Sequence, residues 1–266
     1  MKRALVYATL ALTAVAMAWP FLWMVRTSLR TPADVWTPGW LPQTFDAYGR
    51  VFTELPFGRF LLNSSIVTAA VVLLNVVFDT AAAYAFAKLR FRGRTALFWL
   101  LLITLMVPFQ VNLVPLYRLM VELHATDTYF GLIAPSAVQV FGVFLMRQYL
   151  QSIPDAVLES ARLDGARELQ ILRKIVFPVA RPAMAALAIF TFLGAWNDFL
   201  WPLIVTDSEQ MRTLPVGLAL LARKNSVSWT DSMAGAVITI LPMVAFFAVL
   251  QRRFVEGLTA GAVKDG

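Results

Sequence analysis

The sequence contains no cysteine and a single histidine, His124. Without cysteine there is no disulfide, no thiolate metal site and no cysteine nucleophile. One histidine supports neither a metal ligand set nor a Ser-His-Asp triad, and His124, beside Glu122, reads as a solvated loop residue. No Gly-x-x-x-x-Gly-Lys-Ser/Thr segment is present, so the chain has no loop of its own to cradle nucleotide phosphates. Internal repeats and low-complexity tracts are also missing. Charge is scarce, at 15% of residues.

Apolar residues fill the space. They make up 59% of the 266 positions, with a mean hydropathy of +0.68, more than a soluble domain of this size can cover. Lipid is therefore the expected solvent. Uncharged runs at 4–25, 60–78, 95–117, 128–146, 182–197 and 232–251 each approach the roughly 20 residues that cross about 30 Å of hydrocarbon. They predict an all-α membrane protein with six transmembrane helices.

Cytoplasmic flanks retain Lys and Arg. Of the 23 such residues, 15 fall on the side of Lys2, Lys88, Arg94, Arg162, Arg181 and Lys264, and 8 on the side of Arg26, Arg50, Arg118 and Lys224. The count places both termini in the cytoplasm. The same placement at membrane edges accounts for the net charge of +7 without a nucleic-acid partner. Lys2-Arg3, an apolar run and Ala16-Met17-Ala18 outline a secretory signal peptide. The run continues through Trp19 to Met24, however, which favours a retained first helix over cleavage.

A proline-rich connector, residues 31–59, reads as an external loop with short interfacial pieces. Helix 2 is expected from Phe60 to Lys88, longer than a bilayer requires. Helix 3, Thr95 to Tyr117, carries Pro108 and Pro115 and should kink. Helix 4 is expected from Tyr129 to Gln148, helix 5 from Pro182 to Val205, and helix 6 from Ser232 to Phe254. Between helices 4 and 5, residues 151–181 are charged yet helical in pattern. Pro154-Asp155 suits a helix start, Val157, Leu158 and Ala161 share a face, and Gly165 supplies a left-handed turn. Leu169, Leu172 and Ile175 or Val176 recur in a second helix that Pro178 should stop.

Two acids interrupt the apolar runs. An unpaired carboxylate at the bilayer centre costs about 2.5–3.5 kcal/mol on insertion scales, so each must face protein or water. Asn197 and Asp198 either line a solute pathway, with Trp196 offering a flat face for sugar stacking, or are polar residues at a helix end near the interface. Asp79 either pairs with an Arg of a partner or sits beside water.

The pattern Glu159, Ala161, Asp164-Gly165-Ala166, Ile175, Pro178 resembles the EAA-loop signature of permeases in binding-protein-dependent ABC importers. Ser160 stands where the signature has its first Ala, and Phe177 where Leu usually precedes Pro178. The likeness extends through Leu62-Asn63-Ser64, Ala83-Tyr84-Ala85-Phe86-Ala87, Val107-Pro108 with Gln110, Pro115-Leu116-Tyr117, Gly194-Ala195-Trp196-Asn197-Asp198-Phe199, Trp201-Pro202 and the ending Gln251 to Lys264. It covers nearly the whole chain and is similar to the second membrane subunit of maltose-type carbohydrate importers.

That resemblance implies a MetI-like fold with a cytoplasmic coupling helix. It makes Val157, Leu158, Glu159, Ser160, Ala161, Asp164, Gly165, Ala166 and Pro178 the ATPase-coupling residues, with Glu159 ion-pairing to the ATPase. Asn63, Trp196, Asn197 and Asp198 become the solute-pathway candidates. It also implies a second permease subunit, a cytoplasmic ATPase dimer carrying ATP and Mg, an extracytoplasmic solute-binding protein, and no cofactor in this chain. The expected domains are 1–59 (first helix and connector), 60–256 (permease core with the loop 151–181) and a cytoplasmic tail at 257–266 that reaches the ATPase. The implied cargo is a sugar or oligosaccharide, with glycerol phosphate or a polyol as the alternative within the family. An ion-coupled secondary transporter relaying through Asp79 and Asp198 is the competing class, against which the missing repeats count.

Overall fold

The computed structural model of the chain describes residues 2–223 and 228–259. Lys224, Lys264 and the tail beyond Thr259 lie outside the described residues, as do the side chains of 251–259. Every regular element among the described residues is helical. The helices are α1 (Lys2–Ser28), α2 (Asp46–Glu54), α3 (Phe57–Lys88), α4 (Arg94–Ile103), α5 (Phe109–Glu122), α6 (Tyr129–Ile133), α7 (Val140–Gln151), α8 (Asp155–Leu163), α9 (Glu168–Ile171), α10 (Phe177–Val179), α11 (Arg181–Trp196), α12 (Leu200–Val205), α13 (Leu214–Arg223) and α14 (Trp229–Thr259).

Three helices are long and apolar enough to cross a bilayer unbroken: Leu5–Ser28, Phe57–Lys88 and Trp229–Val249. Three bent helix pairs are apolar enough to cross only when taken together. Arg94–Met106 and Phe109–Glu122 meet at 99°, Tyr129–Ser136 and Val140–Gln151 at 44°, and Glu168–Val179 and Arg181–Trp196 at 80°. Six spans therefore hold only when each bent pair counts as one. Helix 3 does not merely kink: it breaks at Val107-Pro108, while α5 runs on through Pro115. Helix 4 breaks at 137–139. Helix 5 ends at Trp196, and α12 follows as a separate element instead of continuing to Val205.

Contacts group the chain into two compact units, residues 1–61 with 213–244 and residues 62–212 with 245–266. In the first unit the connector is held by buried arginines. Arg26 donates to the carbonyls of Val35 (3.0 Å), Gly39 (2.8 Å) and Thr37, with the Trp23 ring 4.7 Å below its guanidinium. Arg30 donates to Gly39 as well. Backbone acceptors and an aromatic face thus replace water around the Arg26 guanidinium. Arg50 ties α2 to α14 through Asp231 at 2.7 Å. Arg26→Gln is expected to leave membrane insertion unchanged and to speed protease cleavage within 31–45. Cleavage at the wild-type rate would show that the connector holds without the guanidinium.

The second unit is organised by α3. Asn63, Val67, Val71, Asn75, Asp79 and Ala83 recur every four residues and are all buried, as one helix row requires. Near the Phe57 end this row enters an apolar cluster with Met120, Leu132, Trp201 and Val205, and near the Lys88 end one with Val143, Met146, Leu150, Leu158, Ile171, Val176 and Leu187.

Candidate functional site

The hairpin of residues 154–180 is built on its own hydrogen bonds. Pro154 precedes the first turn of α8, and Asp155 lies in that turn. At the other end the Gly165 N–H donates to the Arg162 carbonyl (3.0 Å) and the Ala166 N–H to the Ala161 carbonyl (3.0 Å). With Gly165 at φ +81°, these are the paired bonds of a Schellman ending, which places glycine where a Cβ is penalised. Leu158 is fully buried, and Ala161 and Ala166 pack behind it. Val157 does not share that face: it is 44% exposed. Glu159, Ser160 and Asp164 also point outward.

The second half departs further from expectation. Leu172–Val176 is a π-helical turn, with the Phe177 N–H bonded to the Leu172 carbonyl. This wider turn precedes Pro178, whose ring cannot coexist with an ordinary bond to the carbonyl four residues earlier. The helix therefore passes Pro178 to Val179 and bends only at Ala180. Ile171 is buried and Leu169 is 74% exposed, against the expectation that Leu169 lies on the packed face. Leu163, next to the turn, is 89% exposed. The outer surface thus presents Val157, Glu159, Ser160, Leu163 and Leu169 together with charged neighbours and is partly apolar.

The inner side of the hairpin is tied to α3. Lys88 Nζ donates to Asp155 Oδ1 and to the Ile153 carbonyl, both at 2.6 Å. Glu168 accepts from Arg162 Nε at 2.8 Å and from the Tyr84 hydroxyl. The Lys88 hydrogen bond and charge hold the Asp155 carboxyl below the usual carboxylate range. This group's contribution is present above the ordinary carboxylate value and fades only as pH falls through the lower folded value, so the tie is complete at neutral pH.

The candidates around the α11 break separate into exposed and buried residues. Asn197 is exposed, its amide donating to the Leu193 carbonyl at 2.8 Å. Asp198 is half-buried, with the backbone N–H groups of Trp201 and Leu200 facing its carboxyl. Trp196 is only 2% exposed and stacks on Phe192 at 5.5 Å, so it does not offer the open face that sugar stacking needs. Asn63 is buried as well. Its amide donates to the carbonyls of Gln210 (2.8 Å) and Arg212 (2.9 Å) and accepts from the Tyr129 hydroxyl (2.7 Å). Trp201 Nε1 donates to the Gly131 carbonyl at 2.9 Å, locking α12 to α6.

Asp79 is paired within the chain through one of its two oxygens. Its Oδ1 accepts the Gln139 N–H at 3.0 Å, and Asn75, one turn earlier, donates to the Ser136 carbonyl at 2.6 Å. The two side chains grip both sides of the break in helix 4, supplying partners that the interrupted helix lacks. The other Asp79 oxygen, Oδ2, is buried without a hydrogen-bond partner among the described residues, so the Arg of a partner and water both stay open for it. The sequence carried a signal for this in two buried polar residues at i, i+4, but nothing in it named their partners.

The sequence pattern of the family described as "Binding-protein-dependent transport system inner membrane component" matches residues 80–259, a stretch that contains the hairpin, its ties to α3 and all three breaks. The chain belongs to this family. As an inner membrane component it is 40% identical to the arabinooligosaccharides transport system permease protein AraQ of Halalkalibacterium halodurans, over 83% of this chain and 80% of the relative. It is 32% identical to the sn-glycerol-3-phosphate transport system permease protein UgpE of Agrobacterium fabrum, over 96% and 95%. Its fold matches a chain from the crystal structure of a bacterial ABC transporter involved in the import of the acidic polysaccharide alginate. That match has a TM-score of 0.83 and 28% identity, covering 94% of this chain and 96% of that one. For this inner membrane component the all-α, multi-pass architecture read from hydropathy is the family's.

Proposed function

We propose that this permease forms half of a heterodimeric, alternating-access pathway for a sugar or oligosaccharide in an ATP-driven importer. The core at 60–256 carries the pathway and the residues that follow reach the motor. A cytoplasmic ATPase dimer with ATP and Mg supplies the energy, and an extracytoplasmic binding protein delivers the solute. Both termini face the cytoplasm. The observation that carries this reading is the hairpin: its inner face is buried and bonded, while its outer face leaves Leu163, Leu169 and Glu159 uncovered. Val157, Leu158, Glu159, Ser160, Ala161, Asp164, Gly165, Ala166 and Pro178 build this coupling element, with Leu158 and Ala161 fixing it from behind and Glu159 meeting the ATPase.

Of the pathway candidates, Asn197 and Asp198 contact solute, and Asn63 and Trp196 act as supports for the surrounding helices. The 40% identity to an arabinooligosaccharide permease supports a carbohydrate cargo. The near full-length likeness to a glycerol-3-phosphate permease favours a polyol phosphate as the second reading.

Purification from native membranes is expected to bring down a second permease, an ATPase and a binding protein. In proteoliposomes, ATP hydrolysis should rise with the binding protein loaded with an arabino-oligosaccharide and stay at its basal rate with glycerol 3-phosphate. The reverse pattern would establish the second reading, and a chain that purifies alone and moves solute on an ion gradient would overturn both.

A further inference from the structure

The ties between the hairpin and α3 join two particular points. Lys88, at the end of α3, holds the first residue of α8. Tyr84, one turn earlier, holds Glu168, which in turn holds Arg162 in the last turn of α8. Both ends of the short helix are therefore fastened to neighbouring turns of a single long one.

The chemistry of the fastenings suits transmission of force. The Lys88 side chain is 6% exposed while that of Asp155 is 70% exposed, so the lysine is anchored in the protein and the aspartate moves with α8. Lys88 also donates to the Ile153 carbonyl, which fixes the ammonium independently of Asp155. Tyr84 is buried, and its hydroxyl meets a carboxylate already oriented by a guanidinium. Charge-assisted bonds of this kind are short and about twice as strong as neutral ones. A helix attached at one end pivots; attached at both, it carries its neighbour along.

Nothing interrupts α3 beyond these points. It runs unbroken from Lys88 to Phe57, and along it Asp79 and Asn75 grip the break of helix 4, then Asn63 grips the 210–212 segment. A displacement of α8 thus reaches two irregular segments through one rigid helix.

We propose that Tyr84, Lys88 and Glu168 are positioning residues that make α8 and α3 a single moving body, so that motion imposed on the hairpin is delivered to the break at 137–139 and not dissipated at the hairpin. The proposal rests on the importer reading above. It assigns these residues no contact with solute, nucleotide or the ATPase.

The lack of cysteine offers a direct test. Lys88→Cys with Asp155→Cys, in a complex whose other subunits are cysteine-free, is assembled with its ATPase and binding protein. With the thiols reduced, the tie is absent. Solute moved per ATP is expected to fall by about 5- to 150-fold, the usual span of coupling between sites, while basal ATP hydrolysis persists. Joining the thiols with a short bifunctional reagent should restore transport. Tyr84→Phe, which keeps the ring, should lower the ratio in the same direction without altering assembly or melting.

Transport arrested by the bridge would show that α8 and α3 separate during turnover and would overturn the proposal. So would an unchanged ratio in the reduced pair and in Tyr84→Phe. If the wild-type assembly moved no solute on ATP, the importer reading would fall instead, and the two failures are distinguished by that control.

Discussion

Alanine at position 142 is expected to deplete the protein from the membrane, although the substitution adds a single methyl group. A Cβ there would fall inside the Asp79 carboxylate and 3.0 Å from Leu187 Cδ1. The carboxylate cannot retreat without giving up the Gln139 N–H, because Asp79 is fully buried. Overpacking of this kind costs about 1–3 kcal/mol, and loss of the hydrogen bond about 0.5–1.5 kcal/mol more. The measurement is melting of the purified protein in detergent together with its yield from membranes. Asp79→Ser in the Gly142→Ala background makes room and should recover part of the loss. Wild-type melting of Gly142→Ala alone would mean that α3 and α7 are not packed this closely.

Gly165→Pro is expected to act in the opposite way, sparing the membrane helices and abolishing function. Proline fixes φ near −65°, whereas Gly165 sits at +81°, and the N–H that bonds Arg162 would be lost. No neighbour lies within 4 Å of a Cβ there, so the damage is conformational and confined to the turn. Gly165→Ala isolates that part, a cost of about 1–2 kcal/mol for a left-handed residue, and should be intermediate. Glu159→Lys leaves the turn intact and reverses charge on the exposed face. Both Gly165→Pro and Glu159→Lys should insert as wild type while binding-protein-stimulated ATP hydrolysis is lost. Normal stimulation in both would remove the hairpin from the coupling role.

The two positions differ in how legible they were. Gly165 stands at the end of a short amphipathic helix, and its turn depends on hydrogen bonds that close within six residues, so local spacing was enough to place it. Gly142 occupies an uncharged run that any apolar residue would suit. Its necessity comes from a carboxylate on another helix, and no periodicity within either segment records that approach.

The same division runs through the spans. Their number and approximate limits follow from length and hydropathy, because lipid selects for uninterrupted apolar stretches. Pro108 announced a disturbance, but its 99° size depended on what α5 packs against, namely Trp201 and Val205. Asn197 and Asp198 were conspicuous as polar residues, yet the burial of Trp196 and Asn63 was not readable, since an aromatic or an amide suits an exposed wall as well as a filled interior. Leu169 likewise lies outward against its spacing.

Composition and local pattern thus established a lipid-embedded helical chain with one polar hairpin and a glycine turn, because those features answer to solvent and to short-range hydrogen bonding. The depth of each break, the partner of each buried acid and the fastening of α8 to α3 arose only when the helices came together. Lys88 and Asp155, or Asp79 and Gly142, lie some sixty residues apart, and pairing at that distance is set by tertiary packing between helices and not by any local preference of the chain.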